Sequence, residues 1–581
     1  MSGNSIQTED SLLQDLGMAY RKAKADLFYS PRCCRQELLT YEVNLDANLR
    51  ALAEKIESGS QIITHERSWS LIPKGINTEE SKADLIDSNP ASKWKALCES
   101  PGDITAEFRI MEQLPVEFHV FATYWIHRVG AKLDEKLHDF SFGNRLRRQA
   151  PENGQRLGEL NLLSLGSNPR YLKQYREWQD QGLNAIEHAL DDKKKVVAIT
   201  ADVAGFYHNL KPSFLKDDTF LATIGVELEP DERALNELFV QSLLAWAEST
   251  PLKKGLPVGL VASSVIANLA LFELDKLIKE EISPLYYGRY VDDIILVIEN
   301  TKHFESSEAV WEWITKRTGS SLKLVPDEKR SDEGEFYLDF CPEYLEGSSV
   351  HFKNEKNKIF TLSGSTGRNV LQNLKKAIQE RSSEWRALPD VSQNEDELES
   401  KLITAIYEDK SDGGSLRKAD EISIRRANFA IQLSNLEAFS RYLSPKDWRS
   451  VRHAFLDTVI AHIFVLPTFF DYFNYTTRLV RLALFCGDYG HVKKMEAALL
   501  IVTKGLRKCA TEIKECESDV PAEDDIVDTF KKQLQLRLEE SLRCVPIPSK
   551  LTKTQIKDFR AIATAINSKL EALPSDEIIK V

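Results

Sequence analysis

The sequence predicts an α+β chain in which a sheet-bearing central part precedes an all-helical C-terminal part. Three observations carry that reading. Residues 287–298, YGRYVDDIILVI, set two apolar, β-branched runs on either side of an acidic pair, the pattern of a β-hairpin with Asp292 and Asp293 at its turn. Residues 195–202, KVVAITAD, read as an apolar strand ending in Asp202. From Arg368 onward the composition changes to helices separated by polar breaks.

If the strand lies beside the hairpin, Asp202 and Asp292 converge at one end of a sheet. Two ionised carboxylates about 4 Å apart repel by roughly 4 kcal/mol at an effective dielectric of about 20, so a cation or a proton must relieve them. Mg2+ takes carboxylates together with substrate phosphates, and two such ions form the arrangement for in-line phosphoryl or nucleotidyl transfer. Tyr-x-Asp-Asp alone is weak, because most acidic turns are simply solvated. Its pairing with Asp202 gives it weight.

Taken in order, residues 10–60 are helical, with Leu12, Leu16, Tyr20 and Ala23, then Leu45, Leu49, Leu52 and Ile56, at spacings of three or four. Residues 64–105 are mixed and loop-rich. Residues 108–135 combine strand-like and helical patterns and lead into a basic cluster whose Arg145 and Arg148 are candidates to grip a triphosphate or a nucleic-acid backbone, against the plain alternative of a solvated strip. Residues 171–189 form an amphipathic helix through Leu172, Tyr175, Trp178, Leu183 and Ile186, which delivers the chain to the strand ending at Asp202. Phe206 and Tyr207 follow the strand, where an aromatic ring either packs under a nucleotide sugar or closes the core. Residues 229–249 are helical. Pro257, Val258 and Gly259 then lie in a Gly/Pro loop that opens a helix and lets backbone approach a base or sugar closely. Beyond the hairpin come a helix at 308–314, strands at 322–325 and 336–340, and a hairpin formed by 351–353 and 358–362. Lys329 is a candidate contact for an outgoing pyrophosphate, although surface lysines are commoner. In the tail, 389–397 and 411–415 read as linkers, and Ser444-Pro445 as a helix start.

The chain has 581 residues, enough for more than one domain, and at 42% hydrophobic and 28% charged it has the composition of a soluble globular protein. No apolar run is long enough to span a membrane, and the first ten residues lack the pattern of a signal peptide; the expected location is the cytoplasm. The eight cysteines have poor spacing for a Cys zinc site or a disulfide framework. A net charge of −13 excludes a protein coated in nucleic acid, so any nucleic-acid channel must be local.

The ordered set Asp202–Tyr207, Leu256-Pro257-Val258-Gly259, Tyr290-Val291-Asp292-Asp293, Lys329 and Tyr337-Leu338-Asp339-Phe340 resembles motifs A to E of reverse transcriptases. Residues 142–148, FGNRLRR, are similar to the fingers motif of group II intron and retron enzymes. Residues 19–29 and the helical tail resemble the abortive-infection and unknown-group branch of bacterial antiphage-defence reverse transcriptases. The resemblance implies a right-hand polymerase fold, with an N-terminal helical extension at 1–105, fingers and palm at 106–365, and an α-helical thumb and HEAT-like domain at 366–581.

It further implies a Mg2+-dependent nucleotidyltransferase, with Mn2+ as a substitute. Asp202, Asp292 and the carbonyl of Val203 would hold two ions, with Asp293 as a supporting carboxylate. Tyr207, beside Phe206, would act as steric gate; Arg145, Arg148, Pro257, Val258, Gly259 and Lys329 would contact the nucleotide or template. The implied partners are dNTPs, a DNA product, a noncoding RNA, and further copies of this chain or a partner reverse transcriptase, with no membrane. Val258 departs from the family, whose template-copying members carry glutamine there. Untemplated or protein-primed synthesis, copying of a cognate RNA in the retron or intron manner, and an idle RNA-binding scaffold are the readings left open.

Overall fold

The computed structural model describes residues 9–30, 35–62, 68–78, 90–99, 104–151, 156–302, 304–326, 336–353, 357–384, 415–513, 523–543 and 557. In chain order its elements are helices α1 (Glu9–Tyr29), α2 (Arg35–Val43) and α3 (Leu45–Glu57), strand β1 (Trp69–Thr78), α4 (Pro90–Glu99), β2 (Ile104–Glu112), α5 (Val116–Trp125), α6 (Ala131–Lys136) and α7 (Tyr171–Asp191). Then follow β3 (Val196–Asp202), α8 (Phe206–Asn209), α9 (Asp218–Thr223), α10 (Pro230–Ser249), α11 (Val261–Ala270), α12 (Phe272–Leu277), β4 (Tyr286–Tyr290), β5 (Asp293–Glu299) and α13 (Ser307–Thr318). The remainder is β6 (Leu322–Pro326), β7 (Phe336–Phe340), β8 (His351–Lys353), β9 (Lys358–Leu362), α14 (Gly364–Glu384), α15 (Ser415–Tyr442), α16 (Arg449–Thr458), α17 (Thr468–Tyr472), α18 (Thr476–Phe485), α19 (Tyr489–Leu506), β10 (Ala510–Ile513) and α20 (Glu523–Arg543).

These elements form two compact units. One holds the chain up to Trp69 together with Met111–Gln379; the other holds Ser70–Ile110, Glu380–Lys514 and the chain from Asp519. In this division β2 and most of β1 fall in the same unit as the helices after Glu380.

In the first unit a four-stranded sheet runs β4-β5-β3-β9, every pairing antiparallel. The apolar runs of β3 and β5 are buried on both faces. On one, Val196, Ala198 and Val297 pack under Leu183, Ile186, Ala189 and Leu190 of α7; side chains of the alternate residues, Val197, Ile199, Leu296 and Ile298, are buried on the other. The helix α10 starts on a capping box between Glu229 and Glu232, with Pro230 at its first position. It joins α5 through stacked Trp125 and Phe239, and Trp125 Nε1 donates to Asn236 Oδ1 at 3.0 Å. On α1, buried Lys22 donates to the carbonyls of Asn161 (2.5 Å) and Gly166 (3.0 Å), while Asp26 accepts from the Ser167 amide and hydroxyl. The first helix thus clamps the loop that follows the basic cluster.

The expected hairpin at 351–362 is not formed. His351–Lys353 completes the three-stranded sheet β6-β7-β8, and Lys358–Leu362 crosses to pair with β3. Each strand follows the partner whose apolar pattern it complements: Phe352 faces Leu338, and Leu362 faces Val196.

The second unit departs from an all-helical tail. Its helices accompany a sheet of order β1-β2-β10, in which β10 pairs in parallel with β2, Ala510 against Thr105 and Ile513 against Phe108. Residues 510–513 alternate exposed and buried, the strand period, in a stretch too short to signal itself. Phe108 meets Phe470 and Phe530 edge-on at 5.4 and 5.2 Å. Ser444-Pro445 starts a turn, and the helix begins only at Arg449. The linkers expected at 389–397 and 411–414 lie outside the described residues. No described helix is long and apolar enough to cross a membrane.

Ile199 is fully buried at the centre of the sheet. Ile199→Ala should lower the stability of the first unit by about 2–5 kcal/mol, read from the urea midpoint of its unfolding transition.

Candidate active site

The pairing of β3 with β5 sets Asp202 directly opposite Asp293, and the pairing of β4 with β5 sets Tyr290 opposite the same Asp293. Residues opposite one another in an antiparallel pair point to the same face, so Asp202, Asp293 and Tyr290 share one. Val291 and Asp292 form the two-residue turn. All three aspartates are half-buried, at one end of the sheet. Carboxylate oxygens are hard donors of the kind that Mg2+ and Mn2+ take.

The turn is strained. Val291 has φ +60°, a conformation that β-branched residues rarely adopt, as the tight two-residue connection requires at its first position. Such a residue costs roughly 1–3 kcal/mol and persists only where its surroundings over-determine it. Here they do. The Arg289 guanidinium donates to the Val291 carbonyl at 3.1 Å, to Asn268 Oδ1 at 2.7 Å and to the Asn268 carbonyl at 2.8 Å. Its other N–H groups grip Asp275, with Nε 2.7 Å from Oδ1 and a terminal nitrogen 2.8 Å from Oδ2. Tyr287 donates to the same Asp275 Oδ1 at 2.7 Å. Arg289 and Asp275 are both wholly buried. Burial would lower the Arg289 pKa, but the Asp275 charge and its hydrogen bonds outweigh that and raise it, so the guanidinium stays charged. Burial, and then the Asp275 charge, push the Tyr287 phenol far up.

A second support comes from Gly143. A β-carbon there would stand 2.5 Å from the Val291 amide nitrogen, so only glycine lets this segment back the turn. Asn268 Nδ2 donates to the Gly143 carbonyl at 2.8 Å, joining both supports. Next to the turn, Tyr171 and Tyr175 of α7 meet the Tyr290 ring edge-on at 5.1 and 5.3 Å.

The remaining sequence candidates divide. Arg145 and Arg148 are bound within the protein: Arg145 donates to Asp134 Oδ1 at 3.0 Å and to the Asp134 and His138 carbonyls, and Arg148 to the Ala131 carbonyl at 2.7 Å. Buried Asp134 collects both guanidinium groups at the end of α6, so here they serve to fold the basic segment and are not held out for a phosphate. Phe206 is a core ring at 2% exposure, whereas Tyr207 is half-buried beside it. Val203 is buried in an isolated bridge to Phe352. The loop Pro257-Val258-Gly259 is fixed by the Glu112 amide donating to the Val258 carbonyl at 3.1 Å, with buried Pro257, half-buried Val258 and exposed Gly259. The Leu256 amide donates to the Tyr207 carbonyl at 2.7 Å, which brings this loop to the segment following Asp202. Lys329 lies outside the described residues.

A family model described as reverse transcriptase (RNA-dependent DNA polymerase) matches residues 103–327. Residues 103–327 are therefore similar to that family. That match takes in Asp202 and the Asp292-Asp293 turn, and it supports an RNA-directed DNA polymerase type of nucleotidyltransferase acting on nucleotides and nucleic acid. No curated protein matches the chain. Within the matched segment, sequence reading missed Arg289, Asp275, Asn268 and Gly143. Two signals were present: Arg289 interrupts an apolar strand, and Asn268 and Asp275 are spaced two helical turns apart in a largely apolar helical stretch.

Asp275→Asn leaves a buried guanidinium without its counter-charge and should cost about 3–5 kcal/mol in the unfolding of the first unit. The double variant Arg289→Met with Asp275→Leu should recover most of that loss. It should still incorporate nucleotide at least about tenfold more slowly than wild type, because nothing then holds the Val291 carbonyl. Recovery of both stability and rate would contradict the positioning role.

Proposed function

We propose that this protein is a Mg2+-dependent DNA polymerase of the reverse-transcriptase type, with fingers and palm in residues 106–365, adding dNTPs to a growing DNA. The observation that carries the reading is the strand register that sets Asp202 against Asp293, with Asp292 beside it in a rigid turn, inside the segment matched by the family model. Asp202 and Asp292 would hold the ions with the Val203 carbonyl, and Asp293 supports them. When bound, Mg2+ supplies charge neutralisation at the reacting phosphate and lowers the pKa of the attacking hydroxyl.

The residues of the chain do the rest. A primer hydroxyl attacks the α-phosphate of the dNTP, a P–O bond forms, and pyrophosphate leaves. Tyr207, half-buried after the strand end, is the group proposed to meet the sugar and exclude a 2′-hydroxyl. Val258, in the loop beside it, offers no side-chain hydrogen bond to a templating pair, which supports synthesis with relaxed template use or from a protein hydroxyl. The resemblance of residues 19–29 and of the helical tail to antiphage-defence reverse transcriptases supports a role in bacterial defence, in the cytoplasm, with a noncoding RNA and further copies of the chain or a partner reverse transcriptase as partners.

Purified protein given radiolabelled dNTPs and Mg2+ should incorporate label, and Asp202→Asn or Asp292→Asn should reduce incorporation by at least about a thousandfold, with the far-ultraviolet circular dichroism unchanged. Retained synthesis in both variants would overturn the site. Label that migrates with the protein supports protein priming. Label that appears only with a co-purified RNA, and disappears after ribonuclease treatment, supports copying of a cognate RNA. No incorporation by wild type under any of these conditions would favour an idle scaffold.

A further inference from the structure

The second unit holds a cluster that the polymerase reading does not use. His453 and Asp457 lie one helical turn apart on α16. Asp488 caps the start of α19, and His491 stands in its first turn. Ligand atoms of His453, Asp488 and His491 lie within 4.8 Å of one another. His453 Nε2 is 2.8 Å from Asp488 Oδ1, the two imidazole rings are 4.5 Å apart, and Asp457 Oδ1 stands 3.4 Å from His491 Nε2.

We propose that His453, His491 and Asp488, with Asp457 as the fourth donor, form a zinc site that ties α16 to α19. Two imidazoles and two carboxylates are a donor set that suits Zn2+, which binds four such ligands at about 2.0–2.2 Å. His491 is 8% exposed, and its Nε2 faces the Asp457 carboxylate at 3.4 Å, long for a hydrogen bond. A buried ring nitrogen held by so long a contact is poorly satisfied, and a metal ion in the cluster gives it a close partner. The Arg452 guanidinium grips Asp488 from behind through Oδ2 and, at 3.2 Å, Oδ1; it is 2% exposed and fixes the carboxylate in the manner of an outer-sphere partner. Lys494 occupies Asp457 at 2.8 Å but is 58% exposed, so it can swing into water as the ion enters. The His453 side chain, 28% exposed, marks the entry side.

The test uses the full chain carrying Asp202→Asn and Asp292→Asn, so that the polymerase site contributes no metal. After incubation with Zn2+ and dialysis against chelator-treated buffer, elemental analysis should find one zinc per chain. Replacement by Co2+ should give the intense visible d–d bands of a tetrahedral nitrogen–oxygen site. His453→Ala and His491→Ala should each weaken zinc binding at least about tenfold, and removing zinc should lower the melting temperature of the parent but not that of either variant. Absence of retained zinc and of the Co2+ bands in the parent would overturn the site, leaving the cluster as an ion-pair network on Asp488. So would equal zinc retention in the parent and in His453→Ala, whose partly exposed position makes it the variant least prone to misfold.

Discussion

The Arg289–Asp275 pair is the interaction on which the geometry of the candidate site depends. Two opposite charges removed wholly from water are a poor source of stability, since desolvation offsets much of their attraction. What they supply is direction. A guanidinium is planar and offers five donors in a fixed fork, and here each edge of that fork is committed: one side to Asp275, the other to Asn268 and the Val291 carbonyl. The hairpin is therefore locked to α11 and α12 at a defined rotation, and an unfavourable backbone angle at Val291 is tolerated within it.

This explains how a flexible-looking acidic turn becomes a rigid one. Gly143 approaches the turn closely because it has no side chain, the α7 aromatics pack on Tyr290, and the guanidinium holds the Val291 carbonyl. With the turn fixed, the register of β3 against β5 alone determines where Asp202 stands, and a slip of one residue would move its carboxylate to the other face.

Much of this was legible in the sequence where the signal was local. The hairpin and the strand ending at Asp202 announced themselves through β-branched runs around an acidic centre, and α7 and α10 through their apolar spacing. The illegible parts were long-range. Nothing local distinguishes Lys358–Leu362 as a partner of β3 from a partner of β8, because a short strand carries only its face alternation. The four residues of β10 have too little length to show a period at all. Arg145 and Arg148 looked like ligand-seeking charges because a sequence does not reveal that Asp134, eleven and fourteen residues earlier, waits beneath them.

The parallel pairing of β2 with β10 joins segments about 400 residues apart, Thr105 meeting Ala510. During translation at roughly 5–20 residues per second, one edge of β2 emerges from the ribosome some tens of seconds before the strand that will cover it. For that interval its unpaired backbone groups are open to any extended chain nearby. The reverse-transcriptase segment, nearly all of which is synthesised within the gap, can condense around its own sheet first. The sheet of the second unit, by contrast, is completed only once residues 510–513 have been made.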